Sequence, residues 1–215
     1  MITEVRLRRA HIDLVSPFRT SFGVETAREL LYLEVIGDGV TGWGECVAMS
    51  EPMYSSEFVD GCEEVLRRFL LPLVTPNTTA EHFHEAARQF RGHYMAKAVL
   101  ETALLDHQLR AQGVSLAIFV GATKTRVPSG VSVGIQPSID DLLRVVQGYL
   151  DDGYLRIKLK IEPGCDIEPV RAVRRTLRRH VVAAGRRKFG IFGERRPTSC
   201  PAYDEFNLLL IEQPL

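Results

Sequence analysis

No apolar run in this chain approaches the roughly 20 residues that a membrane-spanning helix needs; runs such as Leu208 to Ile211 are far shorter, and nothing before residue 30 resembles a secretion signal. Neither sign of charge dominates. The 27 Lys and Arg are matched by 27 Asp and Glu, so no overall field draws the molecule to nucleic acid or a membrane surface, and small molecules are the expected partners. Cysteine is sparse: Cys46, Cys62, Cys165 and Cys200 lack the close pairing of a zinc site, so reduced thiols in a cytoplasmic setting are expected. The six histidines (His11, His82, His84, His93, His107, His180) form no ligand cluster, because His82 and His84, two apart on an expected helix, point to different faces. A glycine-rich phosphate loop and a Gly-x-Ser-x-Gly elbow are also missing, which removes support from nucleotide and hydrolase readings. What remains is the apolar and charged balance of an ordinary globular protein, large enough for one or two cores.

The order of hydrophobic patterns divides the chain. In the first fifty residues apolar and polar positions alternate (Val5, Leu7, then Leu31, Leu33, Val35) around turn signals at Ser16-Pro17 and Gly37-Asp38-Gly39, which predicts a small antiparallel sheet. Three helices follow: Phe58 to Leu71, stopped by Pro72; Thr79 to Phe90; and Met95 to Gln112, where Ala96, Val99, Leu100, Ala103, Leu104 and Ala111 recur at helical spacing before Gly113. Residues 1–125 therefore read as an α+β domain. From 126 to 215 the pattern becomes strand (Gly130 to Ile135), helix (Ser138 to Leu150), strand (Leu155 to Ile161), helix (Asp166 to His180) and a last strand, Leu208 to Ile211. Alternation of this kind implies parallel βα units, and Ser138 with Asp141 three positions on resembles a capping signal. A closed (β/α)₈ barrel takes about 250 residues, so the second domain is expected to be an incomplete barrel.

Lys158 and Lys160 stand two apart on a strand whose other face is Ile157, Leu159 and Ile161, so both ammonium groups project to one side, which in a barrel is the interior. Two adjacent interior lysines repel each other and lose solvation; both effects favour a neutral amine able to accept a proton. An ordinary half-exposed strand with a solvated lysine face shows the same alternation. Glu212 follows four aliphatic residues at the carboxyl end of an expected parallel strand, where a hard cation such as Mg²⁺ suits a carboxylate; a strand-ending surface charge before Pro214 reads equally well. Trp43, the sole tryptophan, is assigned to the core. Phe18, Phe22, Met49 and Tyr54 lie in loops rich in Ser, Gly and Pro, where they either cap an apolar substrate or bury themselves against the sheet.

Several segments together resemble one family: Ser16-Pro17-Phe18, "GWGECVAMSEPMYSSE", "MAKAVLETALLDHQLRAQGVSLA", "SGVSVGI", "GYLRIKLKIEPG" and "LLLIEQPL" are similar in order and spacing to o-succinylbenzoate synthases and N-acylamino acid racemases of the enolase superfamily. The resemblance covers residues 1 to about 175 and 204 to 215. It implies an α+β cap before a (β/α)₈ barrel, and a Mg²⁺-dependent proton abstraction α to a carboxylate, either racemisation or the dehydration that serves menaquinone biosynthesis. By the same resemblance Lys160 is the acid/base at the α-carbon, Lys158 assists with the carboxylate, Glu212 binds Mg²⁺, Ser132 contacts substrate, and Phe18, Met49 and Tyr54 help to select it. A small-molecule carboxylate is then the partner, and a homo-oligomer stays open.

One stretch departs from the family. Its third barrel strand carries Val-Asp-Ala-Asn, whose aspartate is the first metal ligand, whereas here the corresponding run is "VVAAGRRKFGIFGERRPTSCPAY". Ala183 to Phe192 can be encoded so that reading one base later gives Leu-Gln-Val-Asp-Ala-Asn-Ser-Ala-Tyr, and residues from about 181 to 203 are accordingly expected to be translated out of frame. With that aspartate and the later strands missing, the resemblance implies impaired catalysis or, alternatively, a non-catalytic binding or assembly module, or an unstable product.

Overall fold

The computed structural model describes residues 1–20, 23–162, 166–176 and 205–209, and the backbone alone of 181–185. Close contacts divide the chain into two units, Met1–Leu14 with Ala27–Thr125, and Val15–Thr26 with Arg126–Leu215.

In the first unit β-branched and aromatic alternation builds the inner parts of β1 (Ile2–Thr20) and β2 (Gly23–Gly37), followed by β3 (Val40–Cys46), in the order β1-β2-β3. The β2–β3 register closes at Gly37↔Val40, and both residues of the turn, Asp38 (φ 50°) and Gly39 (φ 74°), are left-handed, as the tightest twisted hairpins require. The expected turn at Ser16-Pro17 is not there: β1 continues through both residues to Thr20, which proline, lacking an amide hydrogen, permits because β1 is an edge strand of this sheet.

The helices are α1 (Val59–Val65), widened into a π turn at Leu66–Leu70 and a 3₁₀ turn at Leu71–Leu73; α2 (Ala80–Ala87); α3 (Tyr94–Gln112); and the short α4 (Leu116–Phe119), which the sequence pattern did not reveal. The Thr79 hydroxyl accepts the His82 amide 3.1 Å away to start α2, and Gly113 (φ 66°) ends α3. At the start of α3 a side chain distant in sequence intervenes: Glu57 Oε2 accepts the amides of Met95 (2.9 Å) and Ala96 (3.2 Å). Along α3 Ala96, Val99, Leu100, Ala103 and Leu104 are buried with Leu31, Leu33 and Val35 of β2.

That contact explains Trp43. On β3, Gly42, Gly44 and Cys46 face α3, and a Cβ on Gly44 would lie 2.0 Å from the Val99 carbonyl oxygen. Alternation then places Trp43 on the opposite face, where it is 48% exposed with its ring 5.9 Å from that of Tyr32, so it is not the core residue that its rarity suggested.

The second unit holds β4 (Gly130–Val133), α5 (Ile139–Asp151), β5 (Arg156–Lys160), α6 (Ile167–Thr176) and β6 (Val181–Gly185), with parallel strands in the order β4-β5-β6. Ser138 caps α5 by accepting the Asp141 amide at 3.1 Å and donating its hydroxyl to the Asp141 carboxylate at 2.7 Å. The core joins Val133, Ile157 and Leu159 of the sheet, and Ile161 just beyond β5, to Leu142 and Val146 of α5, Val170 and Val173 of α6, and Phe206. Of the last expected strand, Leu208 and Leu209 are described and are not extended ladder residues; Leu208 instead leans on this core, and 210–215 lie outside the described residues. The first unit is thus an α+β cap with an antiparallel sheet, and the second is part of a parallel βα barrel wall.

Candidate active site

A parallel strand covered by helices on one face presents its alternate side chains to the other. On β5, Ile157 and Leu159 are buried in the helix-side core, so Lys158 and Lys160, both half-buried, occupy the opposite face. Across the ladder Ser132 stands in register with Lys158, and Ala183 and Gly185 of β6 stand beside Lys158 and Lys160. The structure therefore brings Ser132, Lys158 and Lys160 together.

The carboxyl ends of these strands border a cavity of about 150 Å³, lined by Gly134 to Ile139, Leu142, Leu159, Lys160 and Pro169. Leu142 and Leu159 in its lining belong to the helix-side core, so this cavity opens chiefly on the helix side of the sheet and not on the lysine face. Phe18 also reaches this end. The Arg19 carbonyl accepts the Ile135 amide at 3.0 Å, the Arg19 guanidinium pairs with Glu162 at 3.3 Å, and a Cβ on Gly134 would meet the Arg19 carbonyl oxygen at 3.1 Å and the Phe18 ring at 3.4 Å. Met49 and Tyr54 belong to the first unit: Met49 is half-buried and bridges to Phe58, while Tyr54 is 51% exposed. Phe22 and Glu212 lie outside the described residues.

Arg19 and Glu162 escaped the sequence reading. Glu162 continues the alternation of Lys158 and Lys160, a signal that was available, but its partner lies 143 positions away and no local pattern announces it.

Metal chemistry needs converging oxygen or nitrogen donors. Among the described residues no group of three or more His, Cys, Asp or Glu is placed to hold a metal ion. The strand beside the lysines, β6, reads Val-Val-Ala-Ala-Gly and carries no carboxylate along its length, so the donors among the described residues do not fit a divalent cation. The out-of-frame hypothesis concerns residues that, beyond this strand, lie outside the described ones. No helix among the described residues is long and apolar enough to cross a membrane.

Comparison with known proteins agrees with this layout. Residues 2–121 match the mandelate racemase / muconate lactonizing enzyme N-terminal domain. An N-succinylamino acid racemase from Amycolatopsis sp. is 49% identical over 216 residues, covering 100% of this chain and 58% of the relative, and an o-succinylbenzoate synthase from Geobacillus kaustophilus is 41% identical over 217 residues, covering 100% and 57%. Among solved structures, a member of the enolase superfamily from Listeria innocua superposes with a TM-score of 0.86 at 33% identity, covering 100% of this chain and 58% of that one. The chain spans a little under three fifths of the length of these relatives. With a matched cap, two lysines on the inner face of the second parallel strand and relatives of this identity, the chain belongs to the mandelate racemase / muconate lactonizing enzyme family of the enolase superfamily.

Proposed function

We propose that this chain carries the proton-transfer machinery of a carbon-acid enzyme, acting on an N-acylamino acid or on the precursor of o-succinylbenzoate, and that the 215 residues alone turn over poorly. Lys160 takes and returns the proton α to a carboxylate, Lys158 steadies that carboxylate, and Ser132 contacts the substrate from the neighbouring strand. Phe18, Met49 and Tyr54 select the substrate. The observation that carries the reading is the placement of Lys158 and Lys160 on the face of β5 turned away from α5 and α6, with Ser132 in register.

A proton beside a carboxylate is very weakly acidic, and its removal develops a second negative charge that needs a cation. In the family Mg²⁺ supplies that charge, with Glu212 as the corresponding ligand here. Because β6 offers no carboxylate, the lysines act without adequate charge stabilisation.

The test is exchange of the α-proton in D₂O, followed by NMR on o-succinylbenzoate precursors and N-acylamino acids with added Mg²⁺, beside assays of o-succinylbenzoate formation and racemisation. Slow exchange that disappears in Lys160→Ala, without robust turnover, is expected. Exchange unchanged in Lys160→Ala would sink the base assignment, and robust turnover would sink the impairment. The carboxylate-free β6 also favours a second reading, a non-catalytic binding or assembly module, for which no Lys160-dependent exchange is expected at all.

A further inference from the structure

The first unit has a cleft of about 290 Å³ between α2 and α3, lined among others by His84, Arg88, Arg91, Tyr94, Lys97 and Glu101. Its charges do not cancel. Arg88 is paired with Glu85 at 3.0 Å, and Glu101, the acidic residue of the lining, lies 3.4 Å from the His84 ring, which balances its charge only when protonated. Arg91 and Lys97 are left, and among the described residues no carboxylate lies within ion-pairing distance of either. Lys97 is half-buried; its ammonium gives one of its three donors to the Phe90 carbonyl at 2.6 Å and sits 5.7 Å from the centre of the Tyr94 ring. A half-buried ammonium with donors to spare and no carboxylate in ion-pairing distance can still take on an anion.

The backbone between these two cations adds donors. Gly92 (φ 65°) and His93 (φ 55°) are consecutive left-handed residues, a conformation that His93 as a non-glycine seldom adopts. Among the described residues no protein acceptor takes the amides of Gly92, His93 or Tyr94, although the next two, Met95 and Ala96, are both held by Glu57. Glu57 already answers the positive end of α3, so the helix terminus is not what makes this cleft attractive to an anion. The unpaired guanidinium, the unpaired ammonium and the free amides between them are.

We propose that this cleft is a binding site for a phosphate group, as the free ion or as a phosphate monoester, held by Arg91, Lys97 and the 92–94 amides. A tetrahedral dianion suits a planar guanidinium fork opposite a compact ammonium, and the Tyr94 and Phe90 rings offer apolar walls to the rest of a monoester. The site is independent of the lysine face on β5 and does not rest on the function proposed above.

Titration of the full 215-residue chain with inorganic phosphate, followed by amide NMR against sodium chloride at matched ionic strength, tests it. Saturable shifts confined to the 91–97 segment are expected, with phenyl phosphate run in parallel: tighter binding of the ester identifies a monoester site, tighter binding of the ion a free-phosphate site. Arg91→Gln and Lys97→Gln, which remove the charge but keep a polar side chain, each weaken binding by about tenfold. Arg68→Gln, at an arginine ion-paired to Glu64 elsewhere on the unit, leaves it unchanged. Equal shifts with chloride, or an Arg91→Gln/Lys97→Gln double variant that titrates like the parent, overturn the proposal.

Discussion

Gly44→Ala concentrates a single added methyl at the closest approach in the first unit. The new Cβ would lie 2.0 Å from the Val99 carbonyl oxygen, 2.9 Å from Thr102 Oγ1 and 3.0 Å from the Ala103 amide nitrogen, against an ordinary contact that begins at 3.4 Å. The first and third of these are helix backbone, which cannot rotate away as a side chain tip can. β3 and α3 must therefore separate by more than 1 Å locally, and a gap of that size forfeits roughly half of the dispersion attraction across it. The residues affected, Ala96, Val99, Leu100 and Ala103 against Leu31, Leu33 and Val35, are all 0% exposed. Overpacking in ordinary cores costs about 1–3 kcal/mol; with backbone on both sides the upper end, about 3 kcal/mol or more, is expected, a large share of the roughly 5–15 kcal/mol that holds a domain together. Urea unfolding read by the fluorescence of Trp43, the sole tryptophan and a close neighbour on β3, measures it. Gly148→Ala supplies the opposite sign: it lies inside α5 with nothing within 4 Å of the added Cβ, and should stabilise the second unit by about 0.5–1 kcal/mol, read by circular dichroism. If Gly44→Ala unfolds within about 1 kcal/mol of the parent, well inside the cost of ordinary overpacking, the tight β3–α3 approach is not what fixes this layer.

Three further outcomes rest on the same geometry. Glu57→Ala leaves the Met95 and Ala96 amides without their acceptor and should cost about 1–3 kcal/mol in urea, with Glu57→Gln nearer the parent because its carbonyl oxygen still accepts; equal midpoints for all three chains would remove Glu57 from the account of how α3 starts. Gly134→Ala pushes a Cβ to 3.1 Å from the Arg19 carbonyl, so the hydrogen bond from the Ile135 amide should weaken and that amide should exchange with deuterium faster, whereas unchanged protection would show that segment 15–20 yields without loosening. The Asp141 carboxyl is held below its ordinary value, first by the Ser138 hydroxyl and then by Arg144, so its contribution is present above the ordinary carboxylate range and is lost as pH falls through the lowered value; Asp141→Asn should flatten that acid limb of α5 stability, and an identical acid limb in the variant would contradict the assignment.

How far the sequence could be read depended on whether a feature is local. The β2–β3 turn was legible in Gly37-Asp38-Gly39 and α3 in its spacing and its terminal Gly113, because hairpin twist and helix ends are decided by the residues at hand. Trp43 misled because its exposure is decided by Gly42 and Gly44, whose lack of side chains admits α3 to their own face and so leaves the tryptophan on the other. β6 is obscure for a different reason: Val-Val-Ala-Ala-Gly is short and lacks the Val-Asp-Ala-Asn of the resembled family's third strand, so only the alignment with that family points to a strand there. The hold of Arg19 on Glu162 and the Ile135 amide joins segments more than a hundred residues apart and leaves no trace in local spacing.

The lysine face shows where local pattern ends and fold rules take over. Period two places Lys158 and Lys160 on one side of β5, but does not say whether that side meets the helices or turns from them. The decision comes from the crossover. Parallel strands joined through a helix are connected right-handedly almost without exception, so α5, running from β4 to its neighbour β5, and α6, running from β5 to its neighbour β6, are carried to the same face of the sheet. Their apolar stripes, Leu142 with Val146 and Val170 with Val173, then require apolar partners there, and β5 offers those only at Ile157 and Leu159, with Ile161 just beyond its end. Burying the lysine side instead would place two ammonium groups in that core against no carboxylate from β6, at a desolvation cost no packing gain could offset. The inward direction of the two amines thus follows from chirality and burial together, and it would hold whether or not the metal donors of the family are ever assembled around them.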